Sequence, residues 1–172
     1  MFRPLHVVVV GNKARKMQVL IEKHQHRTYV LFMLSLKGDD KVIIAYYSMT
    51  GNIRRFLNSM DIPDTFELYQ ISAANVRDKI DESFILVTPT YGFGAVPDTV
   101  KEFLRVNSHN LFAVASSGNR NWGQNFARAG EYISNDYSVP LLMKFELHGT
   151  PDERAQFVVE LERAGELHES IR

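Results

Sequence analysis

From Lys41 onward the chain alternates short, wholly apolar runs with stretches of helical spacing, and this alternation constrains the fold more than any other feature. "KVIIAYY", "SFILVTPT", "LFAVASS" and "VPLLMKFEL" put apolar residues on both sides of an extended strand. A strand that is apolar on both faces has to be covered on both, which is the condition of a strand inside a parallel sheet. "TFELYQI" is a further strand of alternating character. Between the strands, "NIRRFLNSM" sets Ile53, Phe56, Leu57 and Met60 on one helical face, and "DTVKEFLRV" does the same with Val100, Phe103, Leu104 and Val106. "QNFARAGEYISND" reads as a helix with Phe126, Ala129, Tyr132 and Ile133 inward, and "SAANVRDKI" as a short helix or a loop. The last helix, "TPDERAQFVVELERAGELH", opens with Thr150 as N-cap, Pro151 in the first position and Glu153 in the third, which is a capping box. The expectation is an α/β fold: one domain over residues 41–172, built on a doubly wound five-stranded parallel sheet with helices on both faces.

The chain contains no cysteine, which excludes disulfides, thiolate metal sites, iron–sulfur clusters and thiol redox chemistry. Redox activity here would require a bound cofactor. The runs "VVVV" and "YVLFMLSL" fall short of the roughly 20 residues of a membrane span. The N-terminal residues lack the long apolar core and small-residue cleavage site of a signal peptide. A cytoplasmic protein without membrane contact is expected. Lys plus Arg and Asp plus Glu balance at 20 each, yet residues 1–40 are basic, with Arg3, Lys13, Arg15, Lys16, Lys23, Arg27 and Lys37 against Glu22, Asp39 and Asp40. No aromatic residues interleave with these charges in the pattern of a nucleic-acid surface, so no nucleic-acid partner is expected. Residues 1–40 are read as an extension whose structure the sequence leaves open. "HVVVVG" and "TYVLFMLSL" are both strand-like and suit an added hairpin, and a chain start at Met33 is the alternative.

In doubly wound sheets the ligand sits beyond the carboxyl ends of the strands, near the point where strand order reverses. The turns after the first, third and fourth strands are "SMTGN", "PTYGFGAVP" and "SGNRNWG". All three are rich in Gly, Ser, Thr, Asn and aromatic residues, and all three belong to that edge. "SMTGN" offers hydroxyls, an amide and backbone N–H groups ahead of a helix, which suits an anion; an ordinary helix N-cap turn has the same composition. No Lys follows its glycine, so it is not a nucleoside-triphosphate P-loop, and a terminal monophosphate without magnesium is the better match. Arg54 and Arg55 read as a solvated helix face with a minor share in the local positive field.

"GFGAVP" carries only the first half of G-x-G-x-x-G, has Pro97 in place of the third glycine, and follows the wrong strand for a dinucleotide fingerprint. Gly92 and Gly94 instead allow the backbone to approach a flat ligand or a peptide to reorient. Tyr91, Phe93 and Trp122 are rings that either stack on a ligand or cap the sheet. His109, His148 and His168 lack metal-ligand spacing, His24 and His26 form only a weak "HQH" pair, no metal is expected, and no Ser-His-Asp set is legible. A receiver domain shares this topology but needs carboxylates at the ends of the first and third strands, where this chain has Tyr46, Tyr47, Ser48 and Thr88.

Together with "VTPTYGFGAVPDTVKEFL", "ASSGNRNWGQNFARAGEYIS" and "VPLLMKFELHGT", these turns resemble the flavodoxin superfamily and, within it, the flavodoxin-like ribonucleotide-reductase-activating family NrdI. The resemblance implies FMN as cofactor. Ser48, Met49, Thr50, Gly51 and Asn52 would cradle its phosphate. Thr88, Pro89, Thr90, Tyr91 and Gly92 would line one side of the isoalloxazine, with Gly94 in the same turn. Ser117, Gly118, Asn119, Trp122 and Gly123 would line the other. No side chain would be catalytic, because the flavin carries the chemistry. The implied role is that of a redox accessory protein to class Ib ribonucleotide reductase. Electrons would arrive from a reductase or redoxin, and O2 would be converted to superoxide. That oxidant would serve assembly of the dimanganese-tyrosyl radical cofactor in the small subunit. The small residues Gly92, Gly94 and Ala95 would leave the flavin's reactive edge open to oxygen. A general flavodoxin-type electron carrier is the alternative, and a binding module without flavin a third reading.

Overall fold

A computed structural model describes residues 41–169, with side chains through Arg163. Residues 1–40, including the two strand-like runs, Met33, His24 and His26, lie outside the described residues, as does the side chain of His168. The order of elements is β1 (Val42–Tyr47), α1 (Asn52–Asn58), β2 (Phe66–Ile71), β3 (Phe84–Pro89), α2 (Asp98–Asn107), β4 (Leu111–Gly118), α3 (Arg128–Tyr137), β5 (Leu141–Glu146) and α4 (Pro151–Glu169). The five strands are all parallel, in the order β2-β1-β3-β4-β5. The connections reverse direction between β1 and β3, so the carboxyl ends of β1, β3 and β4 lie side by side.

The double-sided apolar runs do what their composition demands. Ile44, Tyr46, Ile85, Val87, Ala113 and Ala115 point to one face, where Ile53, Phe56 and Leu57 of α1 and Phe157 and Leu161 of α4 cover them. The intervening Ala45, Phe84, Leu86 and Val114 point to the other face, under Val100, Phe103 and Leu104 of α2 and Ile133 of α3. This is the period-2 alternation of a strand buried on both sides. On the first face Phe56 stacks on Phe145 at 3.9 Å between ring centroids. On the second, Phe84 meets Phe103 edge-on at 5.5 Å.

The structure decides one alternative that the sequence leaves open and departs from the sequence reading in two places. The link between β2 and β3 contains no helix. Its "SAANVRDKI" segment is a run of turns in which the Asn75 side chain takes the Ser72 N–H (2.7 Å) and donates to the Gln70 carbonyl (2.9 Å). An Asn that satisfies nearby backbone groups offers the chain an alternative to helix, and here the alternative wins. The far end of the link is held by the fully buried Asn107, whose Oδ1 accepts from Ile80 N–H (2.9 Å) and whose Nδ2 donates to the carbonyls of Asp78 (2.9 Å) and Phe103 (3.3 Å). The first departure is the start of α3 at Arg128, later than the periodicity implies, because Ala127 adopts a left-handed conformation (φ 49) ahead of it. The second is Tyr132, which is exposed and lies beneath the Arg128 guanidinium at 5.2 Å instead of facing the core. Among the described residues no helix is long and apolar enough to cross a membrane.

Candidate functional site

The three turns expected to converge do so, at the carboxyl edge of β1, β3 and β4. The first, 48–51, leaves β1 and enters α1 through Gly51 at φ 80. Ser48 Oγ accepts from Arg54 N–H (3.1 Å), so its hydroxyl is turned onto the first turn of α1. Asn52 Oδ1 accepts from Arg55 (2.6 Å). Among the described residues the backbone N–H groups of Met49, Thr50 and Gly51 find no protein acceptor. Arg54 and Arg55 are exposed.

The second turn closes on itself. Tyr91 N–H donates to Ala95 O (2.9 Å), and Tyr91 O accepts from Gly94 N–H (3.1 Å) and Ala95 N–H (2.7 Å). So tight a reversal uses positive φ at Gly92 (46) and Gly94 (98). Thr90 secures it from two sides: its N–H donates to Ser117 O (2.9 Å), and its Oγ1 accepts from Ala129 N–H (3.2 Å), capping α3 from outside that helix. The Tyr91 hydroxyl is the one buried side-chain polar atom among the described residues without a hydrogen-bond partner. Burial, and secondarily the neighbouring Tyr47, push its pKa well above the ordinary phenol value. The Tyr47 ring centre lies 6.5 Å from that of Tyr91, and the interaction between the two phenols accounts for this hydroxyl without a ligand.

The third turn leaves β4 as two 3-10 turns over Arg120–Asn125, joined at Gly123 with φ 52 and ψ −118. Asn119 Oδ1 accepts from Asn121 N–H (2.9 Å) and Asn119 O from Trp122 N–H (3.0 Å). Arg120 ties the turn down. Its N–H donates to Glu146 Oε2 (2.8 Å) and its guanidinium to Glu153 Oε1 (2.6 Å), and the guanidinium also lies 4.6 Å over the Phe126 ring.

The expected site residues divide by where their side chains go. Thr88 is fully buried in β3 and Ser117 nearly so, its hydroxyl donating to Leu147 O (2.6 Å). Gly118 has the Ala127 backbone where a Cβ would stand, so its small size serves the packing of β4 against the chain entering α3. Gly94 likewise faces Arg128, whose Cδ would lie 3.0 Å from a Cβ. Gly92 and Gly123 do look into open space, with nothing within 4 Å. The three most exposed large apolar side chains among the described residues are Phe93 (83%), Met49 (64%) and Trp122 (52%), one from each turn. Phe93 and Trp122 already touch edge-to-face at 6.2 Å. Apolar groups held in water at a sheet edge mark a place where something docks.

Arg120, Glu146 and Glu153, which tie the third turn to β5 and α4, are not singled out by the sequence reading. Glu153 was legible only as half of the capping box, which is complete: Thr150 N–H donates to Glu153 Oε2 (2.8 Å) and Glu153 N–H to Thr150 Oγ1 (3.2 Å). Burial disfavours the charged Glu153 carboxylate, but hydrogen bonds from the Thr150 N–H, Arg120 and the Glu146 N–H more than offset this, and its pKa is lowered. A carboxyl group with a depressed folded-state pKa contributes stability that is present above its unfolded value, about 4.3, and is lost as pH falls through the folded one. Glu153→Gln keeps a capping side chain but removes the charge. It is therefore expected to be less stable than wild type by about 1–2 kcal/mol at pH 7, with the gap closing below pH ~4. Urea unfolding across pH checks this, and a gap independent of pH overturns it.

A cleft of about 430 Å³ beside α2 is lined by Ala73, Ala74, Val76, Arg77, Asp98, Thr99 and Glu102, none of them a residue of the three turns. Its charges are already paired, Arg77 with Glu102 (2.7 Å) and Asp98 with Lys101 (2.9 Å), so it offers a ligand little. Among the described residues no group of three or more His, Asp or Glu could hold a metal ion.

A parallel sheet in the order β2-β1-β3-β4-β5, with three glycine-bearing turns over the β1/β3 reversal, defines a flavodoxin-like protein. Solved structures share the fold. A short-chain flavodoxin associated with a bacterial microcompartment superposes with a TM-score of 0.54 at 15% identity, covering 74% of this chain and 99% of that one. Oxidised flavodoxin 2 from Bacillus cereus does so with 0.52 at 21%, covering 73% and 98%. The model of the family described as "NrdI flavodoxin like" matches residues 44–158. Protein NrdI of Macrococcus caseolyticus is 50% identical over 127 residues, 74% of this chain and 94% of that protein. The chain belongs to the NrdI flavodoxin-like family.

Proposed function

We propose that the three turns hold FMN and that the protein is a redox accessory to class Ib ribonucleotide reductase. The observation that carries this reading is the convergence of the three most exposed apolar side chains, one per turn, at the strand-order reversal of a chain in this family. The residues fit the group. The N–H groups of Met49, Thr50 and Gly51, which have no acceptor among the described residues, and the Thr50 and Asn52 side chains suit a terminal phosphate. Trp122 and the peptide at Gly92 suit the faces and edge of a flat ring system, where a Cβ at Gly92 or Gly123 would otherwise intrude. Thr88, Ser117 and Gly118 support these turns from inside. Pro89, Thr90, Tyr91 and Asn119 set their course. The chemistry the group supplies when bound is one-electron reduction of O2 to superoxide, the oxidant for a dimanganese-tyrosyl radical site, with electrons drawn from a reductase or redoxin. What this chain's residues do is hold the ring, leave its edge accessible beside Gly92, and offer Phe93 and Trp122 to a docking partner. A cytoplasmic location belongs to the same reading, as does assignment of residues 41–172 to one FMN domain with 1–40 as an extension.

The purified protein is expected to be yellow and to release FMN on denaturation. Thr50→Ala with Asn52→Ala is expected to weaken FMN binding by about 1–3 kcal/mol through lost hydrogen bonds to the phosphate. Reduced protein, mixed with a manganese-loaded class Ib small subunit and O2, is expected to give a tyrosyl radical by electron paramagnetic resonance. A colourless protein that ignores added FMN removes the reading. Bound flavin without radical leaves the general electron carrier standing.

A further inference from the structure

We infer that Arg120 is a positioning residue for the flavin site, clamping the Trp122 turn to the first turn of α4; this rests on the FMN reading above. Residues 119–123 are held locally by the backbone of their 3-10 turn and by Asn121 N–H to Asn119 Oδ1 and Trp122 N–H to Asn119 O. Among the described residues, every hydrogen bond that ties 119–123 to another element passes through Arg120, by its backbone N–H to Glu146 and its guanidinium to Glu153. The turn has one clamp and, three residues on, one pivot: Gly123, at φ 52 and ψ −118, with no atom within 4 Å of where its Cβ would be. Trp122 lies between them. With the clamp open, the indole keeps its edge-to-face contact with Phe93, itself an exposed side chain.

The clamp is stiffer than a surface ion pair. Arg120 itself is 61% exposed, but Glu153 is 11% and Glu146 26% exposed. Glu153 is also fixed independently by the N–H groups of Thr150 and Glu146, so the acceptor does not have to be ordered when Arg120 docks. Two oxygens allow this division: Oε2 serves the Thr150 cap and Oε1 receives the guanidinium. The Phe126 ring under the guanidinium restricts it further. The helix cap of α4 is thereby made the reference point for one wall of the site. Pre-ordering that wall spares the ligand the entropy of ordering it.

Trp122 is the chain's single tryptophan, which gives a readout independent of flavin. In Arg120→Ala apoprotein, Trp122 fluorescence is expected to become more accessible to acrylamide and its anisotropy to fall, with the far-ultraviolet circular dichroism unchanged. In fluorescence titrations FMN is expected to bind about tenfold more weakly, about 1.4 kcal/mol. Arg120→Lys keeps the charge but not the fork or the ring stack and is expected to fall between the two. If Arg120→Ala fails to fold, Arg120→Lys carries the test by the same two measurements. Unchanged Trp122 mobility overturns the clamp. Raised mobility with unchanged FMN affinity overturns its role toward the ligand. Wild-type protein that binds no FMN removes the functional reading, while the fluorescence arm still decides whether Arg120 fixes the turn.

Discussion

Gly118→Ala is expected to destabilise the protein by about 2–4 kcal/mol and to weaken the binding edge with it, although only one methyl group is added. Gly118 ends β4, and a Cβ there falls onto the backbone nitrogen of Ala127 and lies 2.9 Å from its Cα. Backbone cannot swing aside as a side chain can. Ala127 is moreover pinned, because its carbonyl accepts the Ser116 hydroxyl at 2.6 Å and its own φ is already 49. Displacing it moves the start of α3, where Ala129 N–H meets Thr90 and so holds the second turn. The effect therefore reaches two of the three turns from one position. Gly92→Ala is the control: its surroundings are open and only the left-handed backbone resists, at about 1–2 kcal/mol. Urea unfolding of the two variants decides the matter. A Gly118→Ala protein within about 0.5 kcal/mol of wild type would show that the chain entering α3 yields freely.

The same glycine illustrates what could and could not be read from residues alone. "SGNRNWG" stands out as a binding turn by composition, and the family resemblance places Gly118 beside the flavin; what residues alone do not show is that the Ala127 backbone fills the space where its Cβ would stand. The sheet was legible because burial on both faces leaves an unambiguous mark in Ile44–Ala45, Ile85–Leu86–Val87 and Ala113–Val114–Ala115, where consecutive residues fall on opposite faces and all are apolar. The convergence of the three turns followed from that topology. The β2–β3 link was ambiguous because Val76 and Ile80 carry an i, i+4 spacing that fits a helix, and the outcome was decided by the Asn75 side chain and by a partner 27 residues away. Arg120 was invisible for a similar reason. Its carboxylate partners lie 26 and 33 residues downstream, and only the fold makes them neighbours. The one available signal was the capping box itself, since a carboxylate that caps with one oxygen has another to offer.

Asn107→Leu is expected to cost about 2–4 kcal/mol, despite replacing a polar residue in a fully buried position with an apolar one of similar size. The side chain forms three hydrogen bonds, and two of them reach across to the β2–β3 link. That link has no helix to satisfy its backbone, so Asn107 stands in for one: it accepts from the Ile80 N–H and donates to the Asp78 carbonyl. The Phe103 carbonyl, four residues back in α2, loses least, because α2 continues past it. The Ile80 N–H loses most, since the Ile80 side chain is itself buried and water has no ready access there. Asn110, which donates to the Ile80 carbonyl at 2.7 Å, holds the same residue from the other side and limits how far the link can retreat. The consequence is an uneven loss, visible as hydrogen exchange at the Ile80 amide accelerating by more than the fall in global stability, while amides in β3 and β4 follow the global change. Uniform acceleration across all these amides would mean that Asn107 acts on the whole fold instead. A variant as stable as wild type would mean that the link re-forms its backbone hydrogen bonds without it.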